Sequence, residues 1–152
     1  MLVMAGLLLT ACSNEDESTN STAKQKSTET VESRWYGAEN VARGGPIFAA
    51  HCAECHGNAA QGSSTWRQPG ADGKFPPPPL NGTGHAWHHP FRALGSQIKF
   101  GTPGGGGSMV GFEQTLSDQD IVDVIAWFQD KWPDEIYASW FARDKQSRSD
   151  KQ

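Results

Sequence analysis

The sequence has few cysteines, and their placement argues against zinc sites with cysteine ligands and against redox-active dithiols. Only three occur in 152 residues, at Cys12, Cys52 and Cys55. A structural zinc site usually takes four ligands from two Cys-x-x-Cys knuckles, and a second knuckle is missing here. A thioredoxin-like dithiol belongs in a βαβ setting, whereas the chain around Cys52 lacks the alternation of a strand. Zinc and dithiol chemistry remain as alternatives for Cys52 and Cys55.

The sequence also lacks an excess of one charge and a long apolar run. Its 13 Lys and Arg residues and 17 Asp and Glu residues are mixed, so it shows no basic footprint for nucleic acid. Hydrophobic residues make up only 36% of the chain, because two long polar segments dilute them. The apolar stretch at residues 1–11 is too short to cross a membrane as a stable helix. The length fits one modest domain with additional segments.

A chemically specific motif is present at residues 51–56, which read HCAECH. Two cysteines separated by two residues, followed at once by histidine, form the attachment signature of c-type haem. Cys52 and Cys55 would each form a thioether with a haem vinyl group, because one helical turn brings both side chains to the same porphyrin edge. His56 would supply the fifth iron ligand, and the sixth position is filled from elsewhere or left open. We therefore predict one covalently bound haem c per chain.

The first 34 residues look like an export and tethering segment. Residues 1–11 are similar to the apolar region of a secretory signal, although no Lys or Arg precedes them. The sequence LTAC at residues 9–12 resembles a bacterial lipobox, which implies cleavage before Cys12 and lipidation of Cys12. Residues 12–34 are rich in Ser, Thr, Glu and Lys and predict a disordered tether that extends roughly 25 Å on average. The alternative for residues 1–11 is an apolar tail that is not cleaved.

Periodic apolar residues predict the helices. Gly44, Phe48 and Cys52 recur every four residues, as on one stripe of a helix with Gly44 and Pro46 in its first turn. A shorter helix is predicted to start at Pro90 and to end at Gly101, with Phe91, Leu94 and Ile98 on one face. The clearest helix starts at the N-cap Ser117 and is ended by Pro133; its stripe contains Ile121, Val124, Ile125, Phe128 and Trp132, widened by Val122 and Trp127. Residues 134–142 predict a short amphipathic turn, and residues 143–152 a frayed charged tail.

Over about residues 35–135 these features resemble class I cytochromes c. In that family a small residue and an aromatic residue four apart precede the first haem cysteine, and the C-terminal helix crosses the first helix at the small residue. The resemblance implies that Trp127 packs against Gly44 and Phe48. It also implies an all-α fold of three to five helices around one haem, with the cytochrome c domain at residues 35–142.

Two further elements of this family have counterparts in the loops. From Gly57 to about Gly84 periodicity disappears, and the proline run at residues 76–79 excludes helix and central strand, so this long loop could wrap one haem edge. Residues 78–80 resemble the Pro-x-Leu element, which implies that the Pro78 carbonyl orients the ring of His56. Met109 lies in a glycine-rich loop and resembles the Met-Pro-x-Phe element that supplies the sixth ligand. Val110 replaces the proline of that element, so the loop is expected to be more mobile.

Three histidines lie close together in the sequence, at His85, His88 and His89. A second metal site for copper or zinc is one interpretation of them. Contacts with the haem edge or a propionate, or a plain polar loop, are the others. The three histidines are also the competitors of Met109 for the iron.

The resemblance implies one-electron transfer by a haem held between His56 and Met109, and no enzymatic activity of the chain itself. The protein would face the periplasm or the cell surface, would be anchored to a membrane through lipid on Cys12, and would exchange electrons with redox proteins. Two alternatives stay open. One is an enzyme or gas sensor with an open iron position, and the other is a copper-handling protein that uses His85, His88 and His89.

Overall fold

The computed structural model describes residues 33–102, 104 and 106–150, so the predicted signal and most of the tether lie outside the described residues. The fold of the described part is all-α, as predicted. Its β structure is confined to one bridge between Phe75 and Gly107. No helix among the described residues is long and apolar enough to cross a membrane. The helices are α1 (Ala38–His51), α2 (Ala53–His56), α3 (Phe91–Phe100), α4 (Asp118–Gln129) and α5 (Asp134–Ser149), and a 3₁₀ turn spans Ala86–His88.

The central packing contact joins α1 to α4 at Gly44. A Cβ atom at Gly44 would collide with the carbonyl of Asp123 and with the Cβ of Trp127. One turn further on, the ring of Phe48 packs on the ring of Trp127 with their centroids 4.2 Å apart. The predicted contact of Trp127 with Gly44 and Phe48 is therefore confirmed. Because glycine lets the two helices approach this closely, the motif that follows α1 is held against the core.

Helix α4 begins as the sequence predicts and ends earlier. The backbone N–H of Asp120 donates to Ser117 Oγ at 3.1 Å, and the Ser117 N–H donates to Asp120 Oδ2 at 2.9 Å, which forms a reciprocal cap. The helix ends at Gln129, so the prediction that Trp132 belongs to its last turn is wrong. Trp132 is nevertheless only 2% exposed, because its indole folds back and donates to the Leu80 carbonyl at 2.7 Å.

Helix α1 begins earlier than predicted, at Ala38, and Pro46 lies inside it rather than in its first turn. Asn40 explains the early start. Its Oδ1 atom accepts from the Gly37 N–H at 3.0 Å, while its Nδ2 atom donates to Asp123 at 2.8 Å. Pro46 removes one helical hydrogen bond, that of the Ala42 carbonyl, and it is tolerated because its side chain is exposed and water can reach that carbonyl.

Helix α5 is the largest departure from the prediction. Instead of a short turn at residues 134–142 and a frayed tail, one helix extends from Asp134 to Ser149. Tyr137 and Trp140 are each 1% exposed, which anchors the helix to the core. Asp144 is also buried, and its Oδ1 atom accepts from the Phe91 N–H at 2.8 Å at the start of α3. The boundary predicted at residue 142 therefore divides a helix that belongs to the folded unit.

Candidate functional site

His56 is held in one orientation by the long loop that follows it. The ring is 7% exposed, and Nδ1 lies 2.9 Å from the carbonyl oxygen of Pro78. A carbonyl can only accept a hydrogen bond, so Nδ1 carries the proton and Nε2 keeps its lone pair. Burial lowers the pKa of His56, which favours the neutral imidazole that binds metal ions. The contact that the sequence suggested between His56 and Pro78 is thus present.

Cys52 and Cys55 are on the same short segment as His56. Cys52 ends α1, and α2 carries Cys55 and His56. Neither thiol is in a disulfide; Cys52 is half-buried and Cys55 is exposed. The pKa of Cys52 is raised to about 11, mainly by burial and to a smaller extent by the neighbouring Cys55. A reactive dithiol has a lowered thiol pKa, so this environment does not suit thioredoxin-like chemistry.

The segment around Pro78 is fixed by backbone contacts that the sequence did not suggest. Ala60 has a left-handed backbone conformation with φ 54°, and its carbonyl accepts from the Leu80 N–H at 2.8 Å. The Gly62 N–H donates to the His56 carbonyl at 2.7 Å, and a Cβ atom at Gly62 would collide with the backbone of Pro78. Together with the indole of Trp132 on Leu80, these contacts hold the Pro78 carbonyl against the ring of His56.

Met109 lies on the loop between α3 and α4 and is half-buried against the core. Helix α3 ends before Gly101, whose φ of 71° turns the chain, and the Thr102 N–H then donates to the Met109 carbonyl at 2.9 Å. The side chain of Gln97 in α3 donates to the Met109 sulfur at 3.7 Å. Residues 103 and 105 of this loop lie outside the described residues. The sulfur of Met109 is therefore positioned by a polar contact that the sequence did not reveal.

The three other candidate histidines do not form a common metal site. The ring of His85 stacks on Trp66, and the ring of His88 stacks on Trp87 with centroids 3.7 Å apart. In the part of the chain that the structure describes, no three His, Cys, Asp or Glu side chains are arranged to hold a metal ion. The interpretation of His85, His88 and His89 as a copper or zinc site is not supported, because His88 stacks on Trp87 while His85, which stacks on Trp66, meets His89 only ring edge to ring face. The same finding excludes a zinc site with three such ligands among the described residues.

The side chains of this site fit a covalently bound haem. Two free thiols three positions apart and an imidazole with an unprotonated Nε2 stand on one short segment, which is the donor set that c-type attachment needs. When bound, haem c supplies an iron that exchanges one electron between the ferric and ferrous states. Cys52 and Cys55 would anchor the group, His56 would bind its iron in the orientation that Pro78 sets, and half-buried apolar side chains nearby would be available to cover it. The half-buried apolar residues packed against the core include Ala53, Leu80, Trp87, Met109 and Phe112.

Comparison with known proteins gives a match to one family model. No curated protein and no solved structure matches the chain. Residues 39–128, more than half of the chain, match the model of the family described as cytochrome c oxidase, cbb3-type, subunit III. The match begins at the second residue of α1 and ends near the end of α4, so it includes the haem motif, Pro78 and Met109 and leaves α5 outside. This chain therefore belongs to that family of haem c-binding electron-transfer domains, and haem c is its cofactor.

Proposed function

We propose that the protein is a one-electron carrier whose haem iron is held between His56 and Met109. The observation that carries this proposal is the hydrogen bond from His56 to Pro78. It leaves Nε2 of a buried, neutral imidazole available next to two free cysteine thiols. Such a buried and oriented ring suits a permanent axial ligand better than a ligand that exchanges with solvent.

The contacts of Met109 support it as the second ligand. Its loop is tied to α3 through the Thr102 N–H, and its sulfur faces the amide of Gln97. A thioether sulfur favours ferrous iron and raises the reduction potential, which suits a carrier. With both axial positions filled, the iron has no open place for a substrate or a gas. This is why we favour a carrier over an enzyme or a sensor.

The proposal extends to the location of the protein. The lipobox-like sequence at residues 9–12 supports export and lipid attachment at Cys12, and c-type haem is attached on the outer side of bacterial membranes. The carrier would then work on the periplasmic side of a membrane or at the cell surface, between redox proteins that donate and accept electrons. A Cys12→Ser variant should lose membrane association and incorporation of labelled lipid, while a Ser13→Ala control keeps both. If Cys12→Ser leaves both unchanged, the anchor is not at Cys12.

Optical spectra of the full chain, expressed with a haem-attachment system, test the ligand assignment. We expect a low-spin c-type spectrum in the reduced state and a red-edge sulfur-to-iron band in the oxidised state. That band should vanish in Met109→Ala and persist in Val110→Ala, because Val110 is 65% exposed and carries no donor atom. A high-spin spectrum that shifts with carbon monoxide in the unmodified chain would instead indicate an open iron position.

A further inference from the structure

The loop segments on both sides of the proline run, together with helix α5, form a surface rich in positive groups. The guanidinium carbon of Arg67 lies 4.1 Å above the ring of Trp66, and this ring stacks on His85 with centroids 5.1 Å apart and planes at 17°. The ring of His89 meets the ring of His85 edge-on at 5.4 Å. These contacts link one arginine and two histidines into a continuous surface feature.

A second set of contacts extends this surface toward α5. The ring of His88 stacks on Trp87, and the guanidinium carbon of Arg143 lies 5.9 Å from the centroid of Trp87. The indole of Trp140 in α5 donates to the His89 carbonyl at 2.9 Å, which fixes the turn against the helix. We call the five cationic or titratable members of this surface the basic patch: Arg67, His85, His88, His89 and Arg143.

The basic patch is not neutralised by carboxylates of its own chain. Among the described residues, the ion pairs formed by arginine are those of Arg34, Arg43 and Arg148, and neither arginine of the patch forms one. The nearest acid in sequence to Arg143 is Asp144, which is buried and engaged by the Phe91 N–H and by Arg148. Between residues 57 and 112 the chain has a single acid, Asp72. Although the chain has a net charge of −4, Arg67 and Arg143 therefore carry positive charge that forms no ion pair within the described residues.

The basic patch adjoins the segment that orients His56. A Cβ atom at Gly84 would collide with the carbonyl of Pro79, so the turn that carries the histidines rests directly on the proline run. The Gly84 carbonyl also accepts from the indole of Trp87 at 3.1 Å. Because Pro78 bonds to His56, a partner bound at this patch would sit close to the histidine ligand of the proposed iron site.

We propose that the basic patch docks a carboxylate-rich face of a protein redox partner. The proposal rests on the electron-carrier function proposed above and names the chemistry of the partner. Arginine and tryptophan are the residues that most often carry binding energy at protein interfaces, and here each arginine is pre-positioned on a tryptophan ring. Complementary charge speeds the encounter of transient partners and fixes their orientation. Both properties suit a carrier that must bind, exchange an electron and leave.

Docking at the basic patch should depend on pH. The pKa values of His85 and His89 are lowered, mainly by burial and to a smaller extent by the positive charge of neighbouring groups. The neighbouring groups that act on them are Arg67 from the loop before the proline run and His88 from the turn, while Arg143 of α5 lies beyond Trp87. A docked carboxylate favours the protonated imidazoles, so binding takes up protons and tightens as the pH falls below 6.5, the ordinary imidazole pKa from which both values are lowered.

The test uses the full haem-loaded chain and poly-L-glutamate as the probe, at low ionic strength. We expect binding that salt weakens and that becomes roughly fivefold weaker in an Arg67→Gln/Arg143→Gln variant. An Arg67→Lys/Arg143→Lys variant keeps both charges and should recover most of the binding. The matched control is Lys74→Gln/Lys131→Gln, which removes two exposed positive charges elsewhere, one of them also over a tryptophan ring, and should bind almost as the original does.

Equal weakening in the two glutamine variants would overturn the proposal, because it would indicate a response to net charge alone. Binding to vesicles that contain anionic phosphatidylglycerol, without binding to poly-L-glutamate, would overturn it in favour of a membrane surface. Circular dichroism and the haem spectrum of each variant show whether the fold and the haem site are intact. The haem spectrum and a redox titration also separate the two proposals, because neither measurement depends on docking. If they show no low-spin haem that is reduced and oxidised reversibly, the proposed electron-carrier function is wrong, whatever the binding experiment shows.

Discussion

Gln97 donates a hydrogen bond from Nε2 to the sulfur of Met109 over 3.7 Å, and the same amide nitrogen lies 2.9 Å from Thr102 Oγ1. A thioether sulfur has two lone pairs, so one can accept from Gln97 while the other stays available for the proposed bond to iron. The amide therefore orients the sulfur and withdraws electron density from it. Both effects depend on one exposed side chain of α3.

We predict that Gln97→Leu lowers the reduction potential and weakens the red-edge band of the oxidised protein. The loss of one such hydrogen bond should cost about 1 kcal/mol or less in holding Met109. Redox titration and the band intensity between about pH 6 and pH 9 measure the two effects. Ser96→Ala, at an exposed neighbouring position of α3, is the control. An unchanged potential and band in Gln97→Leu would show that the sulfur is positioned without this amide.

We predict opposite effects of two glycine-to-alanine replacements within helices. Gly44→Ala would push a methyl group into the Asp123 carbonyl and the Trp127 side chain, and should destabilise the fold by about 1–3 kcal/mol. Gly95→Ala places its methyl group 3.7 Å from Ile121, an ordinary contact, and should stabilise α3 by about 0.5–1 kcal/mol. Urea unfolding of the haem-loaded proteins measures both changes. Similar changes in the two variants would mean that the α1–α4 crossing yields to a methyl group.

The parts of the fold that the sequence predicted are those with a local signature. The four-residue spacing of Gly44 and Phe48 predicted α1, and its resemblance to the first helix of class I cytochromes c implied the crossing with α4. Ser117 with Asp120 predicted the start of α4. The Cys52–His56 motif predicted the donor set of the site. In each case neighbouring residues along the chain carry the information, because helix periodicity and haem attachment are both local.

The parts that could not be predicted depend on contacts between distant segments. Tyr137 and Trp140 show little periodicity with the charged residues around them, and α5 exists because Trp140 reaches His89 and Asp144 caps α3. The separation of His85 from His88 follows from stacking on Trp66 and Trp87, which no spacing rule anticipates. Gln97 likewise contacts Met109 only because a glycine-rich loop folds back on α3.

We predict that Asp144 links α5 to the stability of α3. Asp144→Ala leaves the partly buried N–H of Phe91 without its partner and should cost about 1–3 kcal/mol, whereas Arg148→Ala should cost less than about 1 kcal/mol because Arg148 is exposed. Thermal unfolding measures both. A chain that ends at residue 142 should be destabilised at least as much as Asp144→Ala. If it is as stable as the full chain, the last turns of α5 do not belong to the folded unit.

The carboxylate of Asp123 accepts hydrogen bonds from side chains of both α1 and α4, the two helices that cross at Gly44. Arg43 Nε donates to its Oδ2 atom at 2.6 Å, while Asn40 and Gln119 donate to Oδ1 at 2.8 and 3.0 Å. The carboxylate is 1% exposed, so these bonds replace water. Arg43 is the main cause that lowers the pKa of Asp123, helped by Asn40 and Gln119 and opposed by burial.

We predict that this carboxylate makes the free energy of unfolding depend on pH in the acid range. Its folded pKa lies below the unfolded value of about 3.9, so the unfolded chain binds the proton first. The contribution is complete above about pH 5 and is lost as the pH falls through the folded pKa. Asp123→Asn should therefore lower the urea midpoint at about pH 7, and the difference from the original chain should shrink below about pH 4.

Glu113→Gln, at an exposed carboxylate, should leave the midpoint nearly unchanged. A difference that stays constant from about pH 7 to about pH 3 would mean that Asp123 acts through shape alone, because a charge-dependent contribution must disappear once the carboxylate is protonated in both states.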